Sequence, residues 1–287
     1  MTKRSIKKII SSKKINMGGN LLDQPLPIWG IDQIDPFLLI HHWDEPVPKG
    51  KKQEELGVGP HPHRGFSPVT FIFKGSLSHQ DSIGNHKEVG PGGTQWMHAG
   101  KGVIHSERPG KELAQNGGES EFIQFWVNTP AKYKMEEPYY LALEESKTPK
   151  VEIENGAIYL IAGSQHGIHG AAKTYSPQTL LRANFKKGAH YNFEIDQNFN
   201  TILYLLNGEL QVNEHAINGK QMIWFENDGQ EINVKATQDS RFIILSGEPL
   251  NEKVVSHGPF VMNNEQEIYQ AIDDYQNNKM GTLKEIF

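Results

Sequence analysis

The stretch "VTFIFKGSLSHQDSIGNHKEVGPGGTQWM" (residues 69–97) decides the fold, because residues 201–225, "TILYLLNGELQVNEHAINGKQMIWF", repeat its pattern. Each stretch contains a run of β-branched and aromatic residues, a glycine turn, a second strand-like run, and then a further strand that carries Trp96 or Trp224. Two copies of one pattern in one chain indicate a tandem duplication of a small β barrel.

Similar short segments recur through the rest of the chain, each rich in Val, Ile, Phe, Tyr or Thr and bounded by turn residues. They comprise residues 67–75, 121–129, 157–163, 179–185, 200–212, 222–228 and 240–247. The 28 glycines and 16 prolines among 287 residues suit many turns and few long helices. The pattern therefore predicts an all-β fold of the sandwich or barrel type.

One helical pattern occurs near the C-terminus, in "NNEQEIYQAIDDYQNNKMG" (residues 263–281). Apolar residues recur there at helical spacing, a candidate N-cap precedes them and a glycine follows: Asn263 or Asn264, then Ile268, Ala271, Ile272 and Tyr275, then Gly281. We expect this short helix to close a barrel mouth rather than to take part in chemistry.

A boundary between two domains is predicted near residues 135–150, where prolines and charges interrupt the strand pattern. We expect an N-terminal domain over residues 1–140 and a C-terminal domain over residues 141–287. Only the first of these halves contains the histidine motifs described below.

Composition excludes several classes of function. The chain has no cysteine, so disulfides, thiolate nucleophiles and cysteine-ligated zinc are absent. A net charge of -5 offers no basic surface for direct nucleic-acid binding. The basic N-terminus "MTKRSIKKIISSKKIN" has only Ile9 and Ile10 as an apolar run, far shorter than a signal-peptide core, so we expect a cytoplasmic protein without membrane association.

Two motifs predict a metal site. In "GPHPHRGF" (residues 59–66), His61 and His63 are two residues apart, and in "GVIHSERPG" (residues 102–110) His105 and Glu107 have the same spacing. Residues i and i+2 of a β-strand share a face, so two such strands facing each other bring three imidazoles and one carboxylate together. This set suits a divalent first-row transition metal and leaves about two positions open in an octahedral complex.

The other histidines need no function. The set comprises His41, His42, His79, His86, His166, His169, His190, His215 and His257. His98, in "MHAGKG", is either an outer-shell hydrogen-bond donor or a solvent-exposed loop residue, and we favour the loop. Candidates for a pocket wall are Phe66, Phe71, Phe73, Trp96, Met97, Phe125 and Trp126, although aromatic residues at alternating strand positions more often form core.

Five motifs occur in order along the chain: "HPHRGF", "PGGTQWMHAGKGVIHSE", "FWVN", "EPYY" and "HGPFVMN". Their order and spacing resemble the pirin family of bicupin proteins, and the resemblance covers most of the chain from "WDEPVPKG" to the C-terminal helix. It implies two tandem cupin barrels, a double-stranded β-helix or jelly-roll fold, of which the second is metal-free. It also implies that His61, His63, His105 and Glu107 are the metal ligands. A general cupin pattern has a glutamate shortly after HxH, whereas this chain has Ser67 or Pro68 there, so the carboxylate comes from Glu107.

The resemblance implies one of two functions. One is cleavage of flavonols such as quercetin with O2, with loss of carbon monoxide and formation of a depside ester. Because Glu107 is the only carboxylate of the set, we expect it to serve as both ligand and proton acceptor in that case. The other is metal-dependent regulation of protein partners without turnover, as for a transcription-factor cofactor. A structural zinc site is disfavoured because closed zinc sites usually draw on cysteine. We expect one iron(II) ion, and the ligand types leave nickel, copper, manganese, cobalt and zinc open.

Overall fold

The computed structural model describes residues 2–287, and the chain is built almost entirely of β-strands. The N-terminal strands are β1 (Ile6–Ser11), β2 (Lys13–Met17), β3 (Asn20–Leu26) and β4 (Phe37–Asp44). The next eight are β5 (Val58–His63), β6 (Phe66–Lys74), β7 (Leu77–Asp81), β8 (His86–Val89), β9 (Thr94–His98), β10 (Val103–Pro109), β11 (Glu121–Asn128) and β12 (Tyr139–Leu143).

The second half of the chain repeats this strand-rich pattern. Its strands are β13 (Lys150–Ile153), β14 (Gly156–Ala162), β15 (Ser164–Gln165), β16 (Ile168–His169), β17 (Gln178–Phe185), β18 (His190–Glu194), β19 (Asn200–Asn207), β20 (Glu209–Val212), β21 (His215–Asn218), β22 (Gln221–Phe225), β23 (Glu231–Ala236), β24 (Ser240–Gly247), β25 (Val255–His257) and β26 (Phe260–Met262). The α-helices of residues 2–287 are α1 (Lys111–Asn116) and α2 (Glu265–Gln276). The predicted all-β class with a short C-terminal helix is confirmed.

The chain forms two compact units. The histidine unit contains Met17–Leu22, His42–Ser146 and Asn251–Phe287, and the apolar unit contains residues 2–16, Asp23–His41 and Lys147–Leu250. These units differ from the predicted contiguous domains, 1–140 and 141–287, at both ends of the chain. The N-terminal strand β1 belongs to the apolar unit because it pairs with β22, and the C-terminal helix α2 belongs to the histidine unit because it packs against Ile104.

Each unit has a four-stranded sheet with the same connectivity. The order is β5-β10-β7-β8 in the histidine unit and β18-β23-β20-β21 in the apolar unit. A larger sheet in each unit also repeats one core order, β9-β6-β11 in the first and β22-β19-β24 in the second. The shared order places β5 and β10 side by side, as it places β18 and β23, and agrees with the tandem duplication inferred from sequence.

The apolar unit is filled by hydrophobic side chains. Its core includes Phe193, Val212, Val234 and Phe242, all fully buried. Phe193, Val212 and Val234 alternate with exposed or half-buried residues along β18, β20 and β23, as expected for strands with one face inward. This unit therefore has an ordinary hydrophobic core.

Helix α2 belongs to the histidine unit. Asn264 caps its N-terminus by accepting a hydrogen bond from the Glu267 backbone N–H at 2.9 Å, and Ile268 and Ala271 are buried. The helix ends at the C-cap Asn277, four residues before the predicted Gly281. A hydrogen bond also links the helix to the residue after β5, because Arg64 donates to Asp274 at 2.8 Å. None of the helices in residues 2–287 has the length and apolarity to cross a bilayer.

Candidate metal centre

Strands β5 and β10 bring three histidines together. The strands pair antiparallel, with His105 opposite His61 and Val103 opposite His63. The imidazole centroids of His61 and His105 are 4.3 Å apart, those of His61 and His63 are 4.8 Å apart, and those of His63 and His105 are 4.9 Å apart. One ligand nitrogen from each ring lies within 4.8 Å of the other two. The three histidines therefore cluster in the structure, as predicted.

Backbone carbonyls orient two of these rings. The Nδ1 atom of His61 is 2.8 Å from the Gly59 carbonyl oxygen, and that of His63 is 3.2 Å from the Pro259 carbonyl oxygen. A carbonyl only accepts, so each Nδ1 carries the proton and donates it, which leaves Nε2 as the ligand atom. The Nε2 atom of His105 is buried and has no hydrogen-bond partner in the described chain. Three imidazoles with free Nε2 lone pairs fit a divalent transition metal.

Burial keeps two of the rings neutral. Burial, followed by the nearby His61, lowers the pKa of His63 well below its ordinary value. Burial lowers the pKa of His105 in the same way, with further contributions from His61, His63 and His79. The neutral imidazole is the form that binds a metal.

Glu107 lies two residues beyond His105 on β10. The pairing of β10 with β7 runs without a break, with His105 opposite Asp81 and Glu107 opposite His79, whereas the pairing with β5 shifts between His105 and Glu107. The carboxylate accepts a hydrogen bond from Gln124 Nε2 at 2.8 Å. The cluster of ligand atoms that lie within 4.8 Å of one another contains the three histidines without Glu107.

Glu107 separates an internal cavity from an open groove. Inside, it borders a small space together with His79, His105 and Tyr140. Outside, it borders a groove of about 120 Å³ whose wall includes Trp43, Phe122 and Gln124. The rings of Trp43 and Phe122 are stacked, with centroids 5.5 Å apart. Glu107 is therefore the residue of the predicted ligand set that borders both spaces.

The predicted wall residues divide into two groups. Phe66 and Trp126 contact His63, with ring centroids at 5.0 and 5.5 Å, and Met97 borders the internal cavity. Phe71 and Phe125 pack edge to face at 5.0 Å as buried core. Trp96 is buried as well, and Phe73 is partly buried.

The loop interpretation of His98 is wrong. His98 ends strand β9, is fully buried, and has Nδ1 3.3 Å from Ser67 Oγ. Burial, with a smaller effect of Lys134, lowers its pKa to about 4. Lys134 is itself buried, and its Nζ donates to the Gly65 carbonyl oxygen at 2.6 Å and the Val261 carbonyl oxygen at 3.0 Å, which offsets part of the cost of burying this group next to His98.

Sequence reasoning missed His79 and Asp81. His79 Nδ1 is 3.4 Å from His105 Nδ1, and His79 Nε2 is 2.9 Å from Asp81 Oδ2. Burial raises the pKa of Asp81, but the hydrogen bonds from His79 and Asn85 outweigh it and hold this pKa below its usual value. The signal was present in "SHQD", because His79 and Asp81 have the same i, i+2 spacing as the two metal motifs.

A second cluster of metal-type ligands comprises His42, Asp44 and Glu121. His42 Nε2 lies 3.3 Å from Glu121 Oε1, and Lys74 Nζ lies 3.5 Å from Glu121 Oε2. The Lys74 ammonium group neutralises this carboxylate, and Asp44 is exposed, so we assign no metal to this cluster.

Two cupin-type barrels, one of them with converging histidines, define a bicupin protein with one candidate metal centre. A family model described as "Pirin" matches residues 22–127, and one described as "Pirin C-terminal cupin domain" matches residues 180–281. The chain belongs to the pirin family.

Individual relatives agree with this assignment. The chain is 35% identical over 248 residues to a putative quercetin 2,3-dioxygenase of Pseudomonas aeruginosa, covering 86% of each protein. It is 33% identical over 257 residues to human pirin, covering 88% of this chain and 84% of pirin. The crystal structure of a quercetin 2,3-dioxygenase from Acinetobacter baumannii superposes with a TM-score of 0.92 at 32% identity, covering 99% of this chain and all of the other.

Proposed function

We propose that this protein is a metal-dependent dioxygenase that cleaves a flavonol-like aromatic substrate with O2. His61, His63, His105 and Glu107 hold the metal in this proposal. The observation that carries it is the convergence of three buried or half-buried imidazoles whose Nδ1 atoms are all engaged elsewhere, so that their Nε2 atoms are left for one ion. The names of the bacterial relatives support the substrate class.

Iron(II) is the metal that we favour. Three imidazoles and a carboxylate leave coordination positions open, as in non-haem iron oxygenases, and nickel, copper, manganese, cobalt and zinc bind similar ligands. When bound, the metal lowers the cost of deprotonating a coordinated hydroxyl and is the redox partner of O2.

Residues of the chain position the substrate and accept its proton. Glu107 faces both the groove and the internal cavity, so it is placed to receive the proton of a hydroxyl group that enters from the groove. Gln124 holds the Glu107 carboxylate by its 2.8 Å hydrogen bond. The stacked Trp43 and Phe122 offer a flat apolar wall for the aromatic rings of the substrate.

The test is oxygen uptake by metal-stripped protein reloaded with iron(II), with and without quercetin. We expect uptake only when quercetin and iron are both present. The His105→Ala variant should lose it. His86→Ala is the matched control, since His86 is an exposed histidine on β8 of the same sheet, and it should retain wild-type uptake.

Absence of uptake from protein with bound metal would contradict the dioxygenase proposal. In that case the regulatory alternative predicts a metal-dependent complex with a protein partner and no product. For Glu107 the separate test is Glu107→Gln, which should lose turnover while metal remains bound. Full turnover by this variant would remove the proton-acceptor role.

A further inference from the structure

The three candidate ligands differ in what holds their second ring nitrogen. His61 and His63 each donate from Nδ1 to a backbone carbonyl, which is a neutral and fixed acceptor. His105 has no carbonyl in this role. Its Nδ1 lies 3.4 Å from Nδ1 of His79, the next histidine along the sheet.

Asp81 determines which nitrogen of His79 carries a proton. Its Oδ1 accepts from the backbone N–H groups of Ile83 at 3.1 Å and Asn85 at 2.9 Å. Its Oδ2 accepts from Asn85 Nδ2 at 2.8 Å and faces His79 Nε2 at 2.9 Å. Donors thus surround both carboxylate oxygens and leave no place for a carboxyl proton, so His79 Nε2 is the donor in this contact.

With a neutral His79, the remaining hydrogen bond has only one direction. A neutral His79 protonated at Nε2 has a lone pair at Nδ1, and this lone pair accepts the Nδ1 proton of His105. His105 in turn keeps its lone pair at Nε2, the buried atom without a partner. The opposite direction would place a proton on His105 Nε2 and set two acceptors, His79 Nε2 and Asp81, against each other.

Packing holds this chain of groups rigid. The ring of His79 lies flat on Tyr140, with centroids 3.9 Å apart and planes within 2°. His79 and His105 are 2% and 1% exposed, and Asp81 is 4% exposed, so water does not compete for these hydrogen bonds.

We propose that His79 and Asp81 are positioning residues that, through His105, orient and strengthen the binding of the metal. The inference rests on the proposed metal centre. A carboxylate linked through one imidazole to a ligand imidazole increases the electron donation of the ligand, whereas the carbonyls behind His61 and His63 provide orientation alone. The His79–Asp81 pair therefore increases the electron donation of His105 to the metal, and the other two histidines have no such partner.

The experiment measures Ni²⁺ affinity of the metal-stripped protein by competition with a chelator of known affinity. His79→Phe keeps an aromatic ring on Tyr140 and removes both nitrogens. We expect its Ni²⁺ affinity to fall by roughly 10- to 100-fold, the usual cost of losing an outer-shell partner. His86→Ala, on the neighbouring strand β8, should keep wild-type affinity. Far-UV circular dichroism confirms that each variant is folded.

A double-mutant cycle separates the relay from a local structural role of Asp81. Asp81→Asn should lower the affinity in the wild-type background and have no further effect in the His79→Phe background. An equal loss in both backgrounds means that Asp81 acts through its turn, and it overturns the proposal.

The iron(III)/iron(II) midpoint potential is the second readout. Loss of the electron-donating partner disfavours iron(III), so the potential of His79→Phe should rise above that of the wild type. Wild-type affinity and potential in His79→Phe, with His105→Ala still losing metal, would overturn the relay and leave the metal centre standing. Failure of the wild-type protein to bind Ni²⁺ would instead overturn the proposed function itself.

Discussion

The two units use one sheet order for opposite interiors. In the histidine unit, β7 carries His79 four residues after the turn glycine Gly75, and in the apolar unit β20 carries Val212 four residues after Gly208. The neighbouring strand β10 carries buried His105, whereas β23 carries Ile232 and Val234, both fully buried. One scaffold therefore supports either a polar, ligand-rich interior or a hydrophobic core.

The comparison shows that the two copies of the barrel have different roles: one is stabilised by a hydrophobic core, and the other holds the candidate metal ligands. Burying apolar side chains stabilises a fold without help, while burying imidazoles costs free energy unless each polar atom is paired. In the histidine unit, the Gly59 and Pro259 carbonyls and the His79–Asp81 pair satisfy the Nδ1 atoms. The Nε2 atoms are left for the proposed ion, whereas the interior of the apolar unit is complete by packing alone.

The largest expected effect lies in the apolar unit. Phe193→Ala removes a fully buried ring that packs on Phe185 and Phe242, and it should lower the free energy of unfolding by about 3–5 kcal/mol. Urea denaturation measures the loss. The same loss should occur with and without chelator, because no ion completes this core. A loss that depends on metal would break the comparison.

His105→Ala should lower metal affinity by about 100-fold or more, which corresponds to about 2.8 kcal/mol of binding free energy. A competition titration with Ni²⁺ is the measurement. The control is His190→Ala on β18, the strand of the apolar unit that matches β5, where the side chain is exposed. Equal losses of affinity for the two variants would contradict a site confined to the histidine unit.

Metal removal should destabilise the wild-type protein. Free metal at about 100 times its Kd stabilises the folded state by about 2.7 kcal/mol, so a chelator should lower the Tm. In His105→Ala the chelator should change the Tm far less, because a 100-fold weaker site is stabilised by only about 0.4 kcal/mol at the same metal concentration. An unchanged wild-type Tm, with the metal shown to be absent, would mean that the barrel holds its imidazoles equally well without an ion.

The smallest effect concerns a buried histidine of the apolar unit. Burial lowers the pKa of His41 to about 4, and its Nε2 lies 2.9 Å from Gln24 Oε1. The unfolded chain binds more protons than the folded one between about pH 6.5 and pH 4, so stability is lost as the pH falls through this window.

His41→Gln should reduce this loss. At pH 5.5 the protonation of unfolded His41 costs the wild type about 1.4 kcal/mol relative to pH 8, and the variant lacks this contribution. Urea denaturation at the two pH values measures the difference. If the stability of the two proteins had the same pH dependence, the pKa of His41 would be the same in the folded and unfolded states, contrary to this prediction.

Local patterns in the sequence determined much of this protein. Alternation of apolar residues and turn glycines predicted the strands, because side chains in a β-strand alternate between two faces whatever the strand contacts. The prediction that residues 67–75 form a strand agrees with β6, and the repeat of residues 69–97 in 201–225 agrees with the shared sheet order. The i, i+2 spacing placed His61 with His63, and the resemblance of the motifs to pirins led to the family.

Only the tertiary structure decided which residues meet across strands. Pairing of β10 with β7 sets His79 next to His105. The two residues are 26 positions apart, and neither this spacing nor their identity predicts the contact. Tertiary packing also decided that His98 is buried and that Glu107 borders both the groove and the cavity. It likewise decided that the N-terminal residues belong to the apolar unit and the C-terminal residues to the histidine unit. Register and burial depend on the packing of the whole sheet, whereas local patterns report only the face on which a side chain lies.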